Sequence, residues 1–331
     1  TTFTNDAIEA GAIFDFSNSA VSQKFAINFV NEDTSVIGAE AFMTPASRDE
    51  LTFGYYLSRS FDSFDLDFGV RYDMIDNEGS IVSTHEDEHH DEDEHHDEDE
   101  HHDEDEDHDE HEESEVAYYD QAFNNTSIAF NIGRELSDYI SLDLGFSSVE
   151  RAPSTTEMFM NGAHLATARF EVGNVNLNSE TSNNIDLTLN MNSGSFFAKA
   201  TVFMNDVDNY IYLQDETEEE HEEHDEEHEE GHDDHGGLIL ANYLQQDAEL
   251  DGYEIEFGNT MDIGSGELTL SFGRDEISGE FSNGGNIPRL NPARNIVKLK
   301  YSEDNLMFGL TFKDVEKQND IGIAETNTDG Y

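Results

Sequence analysis

Fourteen of the 15 histidines in this chain fall in two tracts. The first, His85–Glu115, reads HEDEHHDEDEHHDEDEHHDEDEDHDEHEESE. It holds His85, His89, His90, His95, His96, His101, His102, His108 and His111 among 21 carboxylates, with no Lys, no Arg and no apolar residue. The second, Asp215–His235, sets His221, His224, His228, His232 and His235 among 14 carboxylates. Imidazole suits zinc, copper and nickel, and a carboxylate adds charge and a hard oxygen ligand. The repeat HHDEDE at 89–94, 95–100 and 101–106 spaces the histidine pairs evenly along the chain, so it offers many overlapping sites instead of one tetrahedral centre. Weak, multiple and exchangeable binding of divalent metal ions is the expected chemistry. Calcium prefers oxygen-only sites and gains nothing from histidine.

The bland alternative is a solvated, disordered acidic loop that keeps a surface negative. Disorder is expected in either case, because nothing in the tracts can bury itself. Solvation alone leaves the histidines unexplained, since Asp and Glu would serve, and His-rich tracts read as metal-binding. His164 stands apart from both tracts, close in sequence to Glu157 and Glu171. It is either a metal ligand at a defined site or a loop histidine bonded to backbone.

The remaining composition bounds what can carry these tracts. The formal net charge is −62, and outside the tracts acidic residues still outnumber the 15 basic ones. That balance speaks against nucleic acid as a partner, which needs a basic footprint, and favours cations. Cysteine and tryptophan are absent, so metal ligands must be His, Asp or Glu. No apolar run reaches the length of a spanning helix, a test to which barrel strands are invisible. There is no Gly-x-Ser-x-Gly, no Walker loop, no cysteine nucleophile and no His-Glu-x-x-His on a helix, and the expectation is that the chain is not an enzyme. The HEEH at His221–His224 is a matter of low-complexity composition.

Alternation of apolar and polar residues is the dominant pattern. Phe64, Leu66, Phe68, Val70 and Tyr72 interleave with Asp65, Asp67, Gly69, Arg71 and Asp73, and similar runs recur to Phe308, Leu310 and Phe312. Period two means strands with one apolar and one polar face. Twelve strands are predicted, at 6–17, 22–43, 49–59, 63–75, 117–133, 137–150, 181–192, 196–213, 238–260, 266–276, 294–302 and 306–316. Short turns alternate with connections of variable and often great length, which sorts the long loops to one end. A Greek-key sandwich does not sort its loops this way, whereas an antiparallel up-and-down transmembrane β-barrel does. The fold class expected is all-β, part of such a barrel in outer-membrane lipid.

One stretch narrows the family. Glu150-Arg-Ala-Pro-Ser-Thr-Thr-Glu-Met-Phe-Met-Asn-Gly-Ala-His164 continues as LATARFEVGNVNLNSETSNNIDLTLN through Asn190. It resembles the barrel of TonB-dependent outer-membrane receptors, in its Arg151-x-Pro153 turn, its Glu157-Met158-Phe159 segment and the later Gly173, Asn174, Leu177 and Glu180. Asp251-Gly-Tyr-Glu-Ile-Glu256 is similar to a Gly-x-Glu strand of the same family. GAEAFMTP (Gly38–Pro45) and NGAHLATARFEVG (Asn161–Gly173) look most like the branch associated with zinc uptake. The resemblance implies a barrel of about twenty-two strands, an N-terminal plug with a TonB box, and a TonB complex as partner. On that footing residues 1–331 are a partial barrel of about twelve strands without the plug, with 85–115 and 215–235 as extracellular loops.

The function expected is uptake of a divalent transition metal, zinc foremost, captured by the loops as cargo with no resident cofactor required. The rivals are a receptor for a metal chelate such as a siderophore or haem, and a non-transporting surface metal-binding or adhesin protein. Asp65, Asp67, Asp73, Asp143, Asp186, Glu254 and Glu256 either lead cations along the lumen or pair with Arg71, Lys298, Lys300 or plug residues. Met158, Phe159 and Met160 either line a substrate path or pack their loop onto the barrel wall. Glu150 and Arg151 are expected to pair at the strand rim.

Overall fold

The computed structural model describes residues 1–38, 41–84, 114–217 and 237–331, so the fourteen tract histidines lie outside the described residues. Twelve strands form one antiparallel sheet in which almost every strand pairs with its sequence neighbour. They are β1 (Thr2–Asp15), β2 (Ser22–Ile37), β3 (Ala46–Ser60), β4 (Asp65–Thr84), β5 (Ser114–Ser137) and β6 (Ile140–Arg151), then β9 (Glu180–Ser193), β10 (Phe196–Asp215), β11 (Ile239–Ile263), β12 (Gly266–Phe281), β13 (Arg294–Glu303) and β14 (Leu306–Val315). The connection between β6 and β9 carries a short helix α1 (Thr155–Phe159) and a hairpin of β7 (Asn161–His164) and β8 (Arg169–Val172). The twelve expected strands and the up-and-down order are those observed.

Burial runs opposite to that of a water-soluble sheet. On the interior strands β5, β9 and β11, Ile128, Leu187 and Ile255 are 41, 40 and 41% exposed. The polar face instead hides Asp73, Asn77, Asn125 and Ser271. Apolar burial is worth about 25 cal/mol per Å² in water, so such a face is stable only against hydrocarbon.

Three sequence expectations about strand extent are corrected. The second strand ends at Ile37, not at residue 43, because Gly38 takes a positive φ of 141° and turns the chain inward. Met43 then forms a β-bridge with Met160. β4 and β5 run on past their apolar alternation as a paired ribbon, Ile81 opposite Ala117 and Thr84 opposite Ser114. In Asp76-Asn-Glu-Gly79 the backbone ladder alone extends the strand, and no side-chain periodicity signals it. The single long connection expected between Arg151 and Glu180 is instead an ordered subdomain.

A bilayer takes ~9–11 residues per strand, and β4, β5, β10 and β11 have 20, 24, 20 and 25. Their surplus rises at the long-loop end as two ribbons, β4–β5 and β10–β11. Each tract leaves from the tip of one ribbon.

Candidate functional site

The connection after β6 folds inward over the polar face and lies between the two ribbons. Its first half is anchored by apolar burial. Ser154 caps α1 in a capping box: its Oγ accepts from Glu157 N at 3.2 Å, and Ser154 N donates to Glu157 Oε2 at 2.7 Å. The Ser154-x-x-Glu157 spacing was the available sequence signal for this helix. Met158 and Phe159 are fully buried with Val36, Met43, Ala46 and Met160. Gly79 permits this, because a Cβ there would meet the Phe159 ring at 2.5 Å. Asn77 Nδ2 and Arg48 Nη1 both donate to Pro153 O, at 2.9 and 3.1 Å. Met158, Phe159 and Met160 therefore pack the loop onto the wall.

The second half carries His164. Gly162 lets β7 lie against loop 41–45, since a Cβ there would sit 2.8 Å from Phe42 Cα. The Phe42 ring stacks on the His164 ring with centroids 4.7 Å apart. His164 Nδ1 lies 3.0 Å from Glu171 Oε1, which also accepts from Thr167 Oγ1 at 2.8 Å. The His164 side chain is 29% exposed and that of Glu171 only 5%. A proton on Nδ1 would donate to this carboxylate and leave the Nε2 lone pair free, the arrangement that generally orients metal-binding histidines. Burial pushes the Tyr243 phenol up to about 12, and the charges of Glu171 and Glu157 add to the shift, so it stays neutral.

Sequence proximity placed both Glu157 and Glu171 near His164, and the fold brings only Glu171 there. Glu157 turns to Arg151 Nη1 at 2.9 Å as well as to Ser154. The expected Glu150–Arg151 pair does not form. Arg151 bridges Glu157 and Glu180, while Glu150 accepts from Thr126 N at 2.6 Å. Among the described residues no group of three or more His, Asp or Glu side chains could hold a metal ion. His164 and Glu171 are thus a two-residue unit.

β8 pairs in parallel with Ile239–Asn242 at the start of β11, just beyond the second tract. Arg169, directly across the hairpin from His164, grips Asp215 with Nε on Oδ1 and Nη2 on Oδ2, each at 2.7 Å. Arg289 adds a third contact to Asp215 Oδ1 at 2.7 Å. Asp215, read in the sequence as part of the capturing tract, is a structural anion. Phe42 and Arg289 gave no sequence signal, because each reaches the site across a long chain separation, and Thr167 and Arg169, though near His164 in sequence, carry no motif that marks them.

The acids of the lumen wall mostly have partners. Asp73 takes Arg71 Nε at 2.8 Å and Thr52 Oγ1 at 2.8 Å, and Glu256 takes Lys298 at 3.2 Å. Asp67 accepts from Tyr56, Asp143 from Asn190 and Asp186 from Asn184.

Comparison with known proteins agrees with this architecture. Residues 8–331 match the family described as TonB dependent receptor-like, beta-barrel. A segment is 30% identical over 105 residues to the heme/hemopexin utilization protein C of Haemophilus influenzae, covering 28% of this chain and 15% of that protein. Among solved structures, the copper transporter OprC aligns over 99% of this chain and 47% of its own, at 14% identity and a TM-score of 0.64. The hemophore receptor HasR of Serratia marcescens, solved with its hemophore HasA and heme, aligns over 95% and 51%, at 14% identity and a TM-score of 0.61. The siderophore receptor PirA of Acinetobacter baumannii aligns over 100% and 55%, at 13% identity and a TM-score of 0.57. The chain spans about half the length of these structures. With its barrel matched almost end to end, the chain belongs to the TonB-dependent receptor β-barrel family, proteins of the Gram-negative outer membrane.

Proposed function

We propose that the chain is the ligand-gathering part of a receptor that imports a divalent transition metal, zinc foremost, across the outer membrane with energy from a TonB complex. The observation that carries this reading is the placement of the His164–Glu171 pair in a hairpin braced by both ribbons from which the His/acid tracts depart. The tracts raise the local concentration of metal through many weak sites. His164 Nε2, oriented by Glu171 through Nδ1, takes the ion at the mouth. Partners to complete the coordination come from the tracts or from water, since the described residues supply one ligand, His164, and its orienting carboxylate. Release from the tracts is fast because their evenly repeated ligands form many weak, overlapping sites, which suits capture for transfer more than storage.

The test is zinc titration of the full-length receptor in detergent, for the native protein, for His164→Ala and Glu171→Gln, and for a form with the fourteen tract histidines changed to Asn. The tract variant should lose most of the bound zinc. Loss of the orienting carboxylate should weaken the tightest class of sites ~10–100-fold, the usual cost of removing such a partner. Unchanged tight binding in both His164→Ala and Glu171→Gln would remove the hairpin from the path.

Haem as cargo is the second reading, favoured by the 105-residue match to a protein named for heme and hemopexin utilization. A histidine with one nitrogen bonded to carboxylate and the other open is equally suited to haem iron. Haem titration followed in the Soret region separates the two. A His164-dependent haem spectrum, with zinc binding unaffected by His164→Ala, would make haem the cargo and leave the tracts another task.

A further inference from the structure

We propose that the β7–β8 hairpin is a hinged crossbar over the mouth, pivoting at Phe159 and latched by Asp215 between Arg169 and Arg289. The crossbar is continuous. It starts at Met43, bridged to Met160, passes through β7 and β8, and ends on Ile239–Asn242 of β11.

Its two ends are held by different forces. At Met158–Met160 the side chains are buried among apolar neighbours, and movement would expose them together. At the far end there are four residue pairs of parallel strand and a charged clasp, while Leu165 at the hairpin turn is 53% exposed. Ala168 in the same turn has a φ of 54°, which a non-glycine residue adopts only when its surroundings impose it. A polar, partly hydrated clasp exchanges protein partners for water at little cost, and an apolar anchor does not. The far end opens first.

Asp215 is where the mouth segments converge. Arg169 comes from the hairpin, and Arg289 comes from the β12–β13 connection with its own φ at 63°. Arg289 also donates to Leu213 O, and its backbone N donates to Glu325 Oε1 at 2.7 Å. Gln214 reaches Ile323 O at 3.2 Å. Hairpin, β12–β13 connection and the segment after β14 are therefore tied to the end of β10 beside one carboxylate. Releasing it frees the hairpin tip that carries His164, while α1 stays docked.

Neither the latch nor its test depends on the cargo. Hydrogen exchange of the full-length receptor in outer-membrane vesicles, without added metal, compares residues 161–172 with residues 155–160. Asp215→Asn should speed exchange in 161–172 at least tenfold and leave 155–160 within twofold of the native protein. Asp215→Glu, which keeps a carboxylate, should stay near native, and Arg289→Gln should fall between. Equal acceleration in both segments, or none in either, overturns the proposal. If Asp215→Asn fails to assemble, an Arg289→Gln receptor with native exchange throughout does the same.

Discussion

The two ribbons at the mouth hold the same inward-folded connection by unlike means. β4–β5 holds it mainly with carbon: Phe159 lies on Gly79, with Tyr119 at a ring distance of 6.4 Å, and polar bonds run from Asn77 Nδ2 to Pro153 O and from Asn161 Nδ2 to Val82 O. β10–β11 holds it with charge and backbone, through Arg169, Asp215, Arg289 and the β8 ladder. The first contact is short-ranged and collective, so it stays formed or is lost as a unit. The second is built from a few directional bonds near water and can be undone stepwise. A receptor mouth needs both, one to keep the loop inside the barrel and one to let its ligand-bearing tip move.

The sharpest way to break this contrast is Phe159→Ala. Removing a fully buried phenylalanine costs about 3–5 kcal/mol, and here the loss should undock α1 from the β4–β5 ribbon. Limited proteolysis of the full-length receptor should then cut between residues 152 and 165, where the native protein resists. Resistance equal to native would mean that the charged ribbon alone secures the loop.

Acid should separate the ribbons from their tracts. Imidazole of unperturbed pKa ~6.5 loses metal as it protonates, so captured zinc should fall steeply between about pH 7 and 5. Asp215 answers differently. Burial works to raise its pKa, yet the hydrogen bond from Arg169 and the charges of Arg289 and Arg169 bring it below the ordinary aspartate range. A carboxylate whose folded pKa lies below its unfolded value stabilises the fold above that unfolded value, and the contribution is lost as pH falls through the folded one. At pH 5 the hairpin should therefore keep its native hydrogen-exchange protection while the zinc is gone. Simultaneous loss of both would tie the latch to the histidines. The smallest effect is expected for Arg151→Lys at the loop base, where a fork on Glu157 and Glu180 becomes a point charge: at most about 1 kcal/mol, read by thermal denaturation.

The sequence made the barrel wall legible because its signal is local. Alternation along Ile185–Leu189 reports which face meets lipid, whatever the neighbouring strands are. It failed at Asp76–Thr84, where a ribbon continues on backbone hydrogen bonds that polar side chains neither help nor hinder. The candidate site was half legible. His164 stood out as the lone histidine beyond the tracts, and Glu171 lay near it, but nothing in the order of residues chose Glu171 over Glu157. Capping of α1 made that choice, by turning Glu157 back onto Ser154.

By itself the sequence determined the strand order, the sorting of long loops to one end, and the donor chemistry of the tracts, since each depends on residues adjacent along the chain. Only the tertiary structure decided that Phe42 stacks on His164, that Asp215 leaves the capturing tract to join Arg169 and Arg289, and that one hairpin spans both ribbons. Those partners lie 46 to 122 residues apart for the clasp and the stack. At such separations a contact is fixed by how the barrel brings its loops together, which no local pattern encodes.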